Sequence, residues 1–211
     1  MSGLLSVSDA LSRILADVEV LAAEVVPIGE AAGRILAADL TANRDQPAFD
    51  ASAMDGYALR AADLDNNSGE LTVVGESAAG HPFAGEIGQG ECARIFTGAC
   101  IPDGADTIAI QENAQAKGAT VFIEKAEKPG RYIRRAGLDF RADDVLLREG
   151  MKLSPARLSL AASMGLPTLP VRKRPKVAII ASGDELVAPG EIVPEGGIVS
   201  SNSLGIAAIV K

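Results

Sequence analysis

The sequence predicts an α+β chain of several domains, and three observations carry that prediction. Helical patterns with N-cap residues stand near both ends of 1–172. Between them runs a stretch of short β-branched segments cut by Gly, Pro and Asp. After a charged linker, Arg172-Lys173-Arg174-Pro175, comes an apolar run suited to a strand buried on both faces. The chain therefore reads as a helical domain, 1–48 with 141–172, that carries an inserted β-rich domain, 49–140. The start of an α/β domain follows at 173–211.

In chain order, Ser6 can cap a helix whose Ala10, Leu11, Ile14 and Leu15 recur on one face, with Asp9 near its positive end. Glu24 to Ile28 reads as a short extended piece and Glu30 to Leu40 as a further helical turn. Gln46 to Arg60 has little apolar periodicity and reads as a tight loop. Pro47 fixes its own φ there, and Gly56 permits a backbone angle its neighbours would resist. Leu71–Val74, Cys92–Phe96, Thr107–Ile110 and Thr120–Ile123 are strand candidates. Ser154-Pro155 supplies an N-cap with proline in the first turn of a helix that runs to Gly165. Val177–Ala181 reads as the buried strand, and Ser201 or Asn202 as the cap of a helix through Ile206, Ala207 and Ile209. One strand and the start of one helix do not complete an α/β domain, so the chain reads as the front part of a longer protein.

Composition narrows the function. The chain has 211 residues, of which 47% are hydrophobic and only 3% aromatic, so its core rests on Ala, Val, Ile and Leu. A formal charge of -8 argues against a nucleic-acid partner or an acidic membrane surface, because a polyanion is repelled overall. Any anionic ligand must meet a local basic cluster. There is no basic, apolar leader and no membrane-length apolar run, which points to the cytoplasm. Cys92 and Cys100 lack metal-ligand spacing and stand with a single histidine, His81, which argues against a zinc or disulfide framework. The cysteines read as small apolar filler and His81 as a loop residue.

Four stretches combine polar atoms with loop-forming residues. Asp50 and Asp55 stand in the Gln46–Arg60 loop, where they suit either ligand contact or the capping of backbone N–H groups. Thr97-Gly98-Ala99, followed by Pro102 to Asp106, suits a hairpin turn or a close approach of backbone to ligand. Arg131, Arg134, Arg135 and Arg141 surround Asp139, as a phosphate fork or as a salt-bridged strand edge. Ser182-Gly183-Asp184-Glu185-Leu186 follows the apolar run, where open α/β sheets gather ligands such as a hard cation or a ribose.

Taken together these stretches resemble the molybdopterin molybdenumtransferases, the MoeA family that includes the E domain of gephyrin. The matching segments are Phe49 to Ala58, Thr97-Gly98-Ala99 with Pro102, Gly104-Ala105-Asp106 and Glu112, Arg134 to Asp139, and Ser182 to Leu186 with Pro189-Gly190. The resemblance implies an elongated homodimer with a doubly wound α/β domain. Its reaction is the insertion of molybdate into adenylated molybdopterin with release of AMP. It also implies that Asp55, Thr97, Asp139 and Glu185 line the catalytic site, with Ser52, Met54, Gly98, Arg134, Arg135, Ser182 and Asp184 binding substrate. Asp55, Asp139 and Glu185 would hold Mg²⁺, Thr97 would hydrogen-bond an oxyanion, and Asp55 would meet Glu185 across the dimer.

A molybdopterin adenylyltransferase is a candidate partner. Leu138, Ala51, Ser182 and Ser200 depart from the family pattern, and the family's later Gly-rich loop lies beyond Lys211. The resemblance therefore implies that this stretch alone holds only part of the site. A non-catalytic dimerisation scaffold and a pterin-nucleotide binding module are the alternative readings.

Overall fold

The N-cap signals at Ser6 and Ser154 are honoured in the structure, whereas Ser201 precedes its helix without a side-chain capping bond. In the computed structural model, which describes residues 5–66, 68–125 and 128–210, the first helix is α1, Val7–Leu15, whose N-cap Ser6 accepts the Asp9 N–H. The strands β1 (Ala23–Pro27), β2 (Leu40–Thr41), β3 (Ala51–Ser52) and β4 (Gly56–Leu59) come next. They are followed by β5 (Gly69–Ser77), β6 (Glu91–Ile95), β7 (Thr107–Ile110), β8 (Ala114–Lys117), β9 (Thr120–Ile123), β10 (Ile133–Arg134) and β11 (Val145–Leu147). Then come α2 (Pro155–Ser163), β12 (Thr168–Arg172), β13 (Leu186–Val187), β14 (Ile198–Val199) and α3 (Asn202–Ile209). The chain divides into two compact units, Glu24–Val171 and the described parts of Met1–Ala23 with Arg172–Lys211.

The larger unit is built on a six-stranded mixed sheet in the order β7-β4-β6-β5-β9-β8, in which only β5 and β6 run parallel. Strand β4 is buried along its whole length. Because successive side chains point to opposite faces, Tyr57 and Leu59 enter one cluster with Leu71, Cys92, Val121 and Ile123. Ala58 enters another with Ile95, Ala99 and Ile108. A separate core joins Val26, Leu36 and Leu40 to Phe140, Leu147, Leu153, Met164, Leu169 and Val171. Helix α2 presents Ala161 to it, and Gly165, at φ +83, turns the chain out of the helix. Small pairings, β1 with β12 and β2 with β11, complete this layer.

Three expectations change. The stretch read as a loop holds β3 and β4, and Gly56 is required for space rather than for its φ: a Cβ there would stand 2.0 Å from the Ala109 oxygen. Glu30 to Leu40 makes no α-helix; a 3-10 turn at Ile28–Glu30 gives way to Gly33, at φ +73. Its N–H groups are taken from afar, Gly33 donating to Leu153, Leu36 to Met151 and Ala37 to Pro170. The region read as helical is thus helical only in α1 and α2, and mixed elsewhere. Val177–Ala181 is not a strand, and Val177 and Ile180 are exposed. A doubly buried strand exists only with neighbours on both sides, and the pairing found nearby is instead β13 with β14, parallel.

Candidate functional site

Strand β3 is the hinge of the site. On one side it pairs with β10, Ser52 opposite Ile133 and Ala51 opposite Arg134. On the other it meets the turn after β6: the Ser52 N–H donates to the Ala99 carbonyl at 2.9 Å, and the Gly98 N–H to the Ser52 carbonyl at 2.8 Å. Two residues thereby bring the Asp50–Asp55, Thr97–Ala99 and Arg134–Asp139 stretches into one patch. Ser52 is buried, and its hydroxyl is spent inside the turn, donating to the Met54 carbonyl at 2.6 Å. Gly98 takes φ +83, a conformation glycine adopts without penalty.

Asp55 precedes β4 and is half-buried. Its Oδ1 accepts both the backbone N–H of Thr97 at 2.8 Å and the Thr97 hydroxyl at 2.7 Å. The Thr97 N–H, then its hydroxyl and the nearby charge of Arg94, hold the Asp55 carboxyl below its ordinary value. Oδ2 has no hydrogen-bond partner among the described residues. The hydroxyl proton that the sequence offers to an oxyanion is here given to Asp55.

Asp50 accepts the Ala136 N–H at 2.8 Å and Arg135 Nη1 at 2.5 Å, and the first of these does most to lower its pKa. Arg134 Nη2 lies 2.9 and 2.8 Å from the two oxygens of Asp139. Both arginine pairs are solvent-exposed, where a carboxylate partner is weakly held and an incoming phosphate can displace it. Asp106 supports the scaffold by accepting the Ala61 N–H at 2.8 Å. Gly104, at φ +83, leaves no room for a Cβ against the Ile87 carbonyl.

Ser182, Asp184 and Glu185 belong to the other unit. Asp184 and Glu185 are exposed, and a Cβ on Gly183 would meet Glu185 Oε1 at 2.5 Å. Ser182 lines a cleft of about 510 Å³ with Leu186, Ile198, Ser200 and Asn202. Among the described residues of one chain, no three acidic, histidine or cysteine side chains converge as a metal site. The donor chemistry divides: Asp55, ionised and with one open oxygen, fits a hard cation, whereas Asp139 is committed to Arg134.

A family model described as the MoeA N-terminal region, domains I and II, matches residues 5–165. The chain belongs to the MoeA family. This MoeA-family chain is 40% identical over 192 residues to a molybdopterin molybdenumtransferase of Nostoc, covering 89% of the chain and 44% of the relative. It is 38% identical to the enzyme of that name in Haemophilus influenzae, over 89% of the chain and 46% of the relative. The crystal structure of a molybdopterin biosynthesis moeA protein from Pyrococcus horikoshii superposes with a TM-score of 0.89 at 36% identity, covering 99% of this chain and 57% of that one. The MoeA-family chain thus spans about half the length of the relatives it matches.

Sequence reasoning missed Arg94 and Gln111 in the neighbourhood of Asp55; the backbone capping it offered for Asp50 is found, on the distant Ala136 N–H, but its pairing with Arg135 was not foreseen. The available signal for the first was an arginine inside an apolar strand segment, Cys92-Ala93-Arg94-Ile95. Cys92 itself is buried filler, its thiol pushed up to about 12 by desolvation. No helix among the described residues is long and apolar enough to cross a membrane.

Proposed function

We propose that the chain serves molybdenum cofactor biosynthesis in the cytoplasm, as part of an enzyme that inserts molybdate into adenylated molybdopterin and releases AMP. The observation that carries this reading is Asp55: one oxygen fixed by two hydrogen bonds from Thr97, the other open among the described residues, on a patch that β3 joins to arginines paired with solvent-accessible carboxylates. An ionised carboxylate of this kind can take a proton from an attacking oxygen or hold a Mg²⁺ ion at the phosphate. Phosphate can draw Arg134 and Arg135 away from Asp139 and Asp50, since guanidinium forks match phosphate as well as carboxylate. Asp139 is then free to join the cation site. Mg²⁺, when bound, offsets charge on the phosphate and polarises it.

The active assembly is a homodimer in which Glu185, Asp184 and Ser182 of one subunit face Asp55 of the other, and a molybdopterin adenylyltransferase supplies the substrate. The arrangement of an inserted 49–140 domain within 1–48 and 141–172 is supported by the core that residues from both flanking segments share. AMP release from adenylated molybdopterin by the whole enzyme of which this chain is part, with molybdate and Mg²⁺ present, tests the reading. Asp55→Ala is expected to slow it by about 100-fold or more, the usual loss when a positioned acid–base group is removed. Normal turnover in that variant removes Asp55 from the mechanism. Mixing Asp55→Ala with Glu185→Ala chains is expected to recover activity that neither shows alone, and no recovery counts against a shared site. The scaffold reading predicts no heat of binding with adenylated molybdopterin, and a measured heat excludes it.

A further inference from the structure

Arg94 lies outside every stretch assigned to the site. It stands on β6, opposite Tyr57 of β4 and Glu76 of β5, between the buried Ala93 and Ile95. Its guanidinium lies over the rings of Tyr57 and Phe96, 5.2 and 4.8 Å from their centroids. Nη1 donates to the Gly56 carbonyl at 3.1 Å and Nη2 to Gln111 Oε1 at 2.8 Å. Gln111 in turn gives its backbone N–H to the Asp55 carbonyl at 3.0 Å. Thr97, which holds the Asp55 carboxylate, follows Phe96 directly. The start of β4, the end of β6 and the turn after β7 therefore meet at one guanidinium, and each of them touches Asp55.

We propose that Arg94 is a positioning residue for Asp55: its planar fork, stacked against two aromatic rings, fastens the two peptides that follow the aspartate, directly at the Gly56 carbonyl and through Gln111 at the Asp55 carbonyl, and so sets the direction of the carboxylate. The inference rests on the reading of Asp55 as the acting carboxylate. Arginine is required because a lysine carries the charge on a flexible stem, without a fork to bind Gly56 and Gln111 together or a plane to stack.

The test is nuclear magnetic resonance on the isotopically labelled chain, comparing wild type with Arg94→Met and Arg94→Lys. The Thr97 and Gln111 amides report the geometry around Asp55. In Arg94→Met both amides are expected to shift, while remote resonances and the thermal transition show that the chain is folded. Arg94→Lys, which keeps the charge and the apolar stem, is expected to leave the Gln111 amide displaced, a result that loss of charge or of packing alone does not produce. An unmoved Thr97 amide in folded Arg94→Met overturns the proposal. Should that variant not fold, an unmoved Gln111 amide in Arg94→Lys overturns it equally. Failure of the functional reading is distinct: Asp55→Ala would then release AMP normally, whatever the Arg94 resonances show.

Discussion

A Cβ on Gly56 would stand 2.0 Å from the carbonyl oxygen of Ala109, so alanine at this position must push β4 away from β7. Gly56→Ala is expected to lower stability by about 1–3 kcal/mol, the usual cost of overpacking a filled interior. Chemical denaturation measures it, and a neutral result would mean that the two strands separate freely. Asp50 gives the matching electrostatic prediction. Its folded pKa is lowered, first by the Ala136 N–H and then by Arg135, so its contribution is present in full above the unfolded value of about 3.9. That contribution is lost as pH falls through the folded value. Thermal melts should therefore show a smaller acid-side loss of stability in Asp50→Asn than in wild type, and parallel pH curves would refute this. The carboxylates were legible as unusual in the sequence; their partners were not. Thr97 and Asp55 are 42 positions apart, and nothing in composition or spacing joins them before the sheet does.

Elements governed by neighbours along the chain were read well. Ser154 caps α2 through the Arg157 N–H, Pro155 opens the helix and Gly165 ends the turn, all local chemistry. Ser154→Ala is expected to cost about 1 kcal/mol, measurable as a lower denaturation midpoint. An unchanged midpoint would mean that packing of Ala161 and Met164 alone holds the helix. Strands β7 and β9 were legible to the residue because β-branched runs are bounded there by turn formers. Strand β4 was hidden: Gly56-Tyr57-Ala58-Leu59 has a small residue at alternate positions, and its reason for extension is the pair of strands on either side. Val177–Ala181 failed in the opposite sense, since an apolar run specifies burial without specifying what supplies it.

At the scale of the molecule, the core shared by Val26, Leu36 and Leu40 with Phe140, Leu153 and Leu169 can form only when distant parts of the chain meet. The segment between leaves and returns at a single place. Gln46 bridges Phe140, Ala42 donates to Asp144, and Asp45 Oδ1 accepts the Ala142 N–H. That geometry sets an order of folding. A loop costs about 0.6 kcal/mol more in closure entropy with each doubling of its free length, so joining the two halves of this core first would mean closing the longest loop in the unit. If the six-stranded sheet folds beforehand and β3 pairs with β10, the two ends of the segment are already side by side and the remaining closure is short. Amides of β4, β5 and β6 should then gain protection before those of β1 and β12 in pulse-labelled refolding, with β1 protected first as the result that would reverse the order. The residues that fold early would be those that carry Asp55 and Thr97, so the aspartate would acquire its partner before the core of Val26, Leu36 and Leu169 exists.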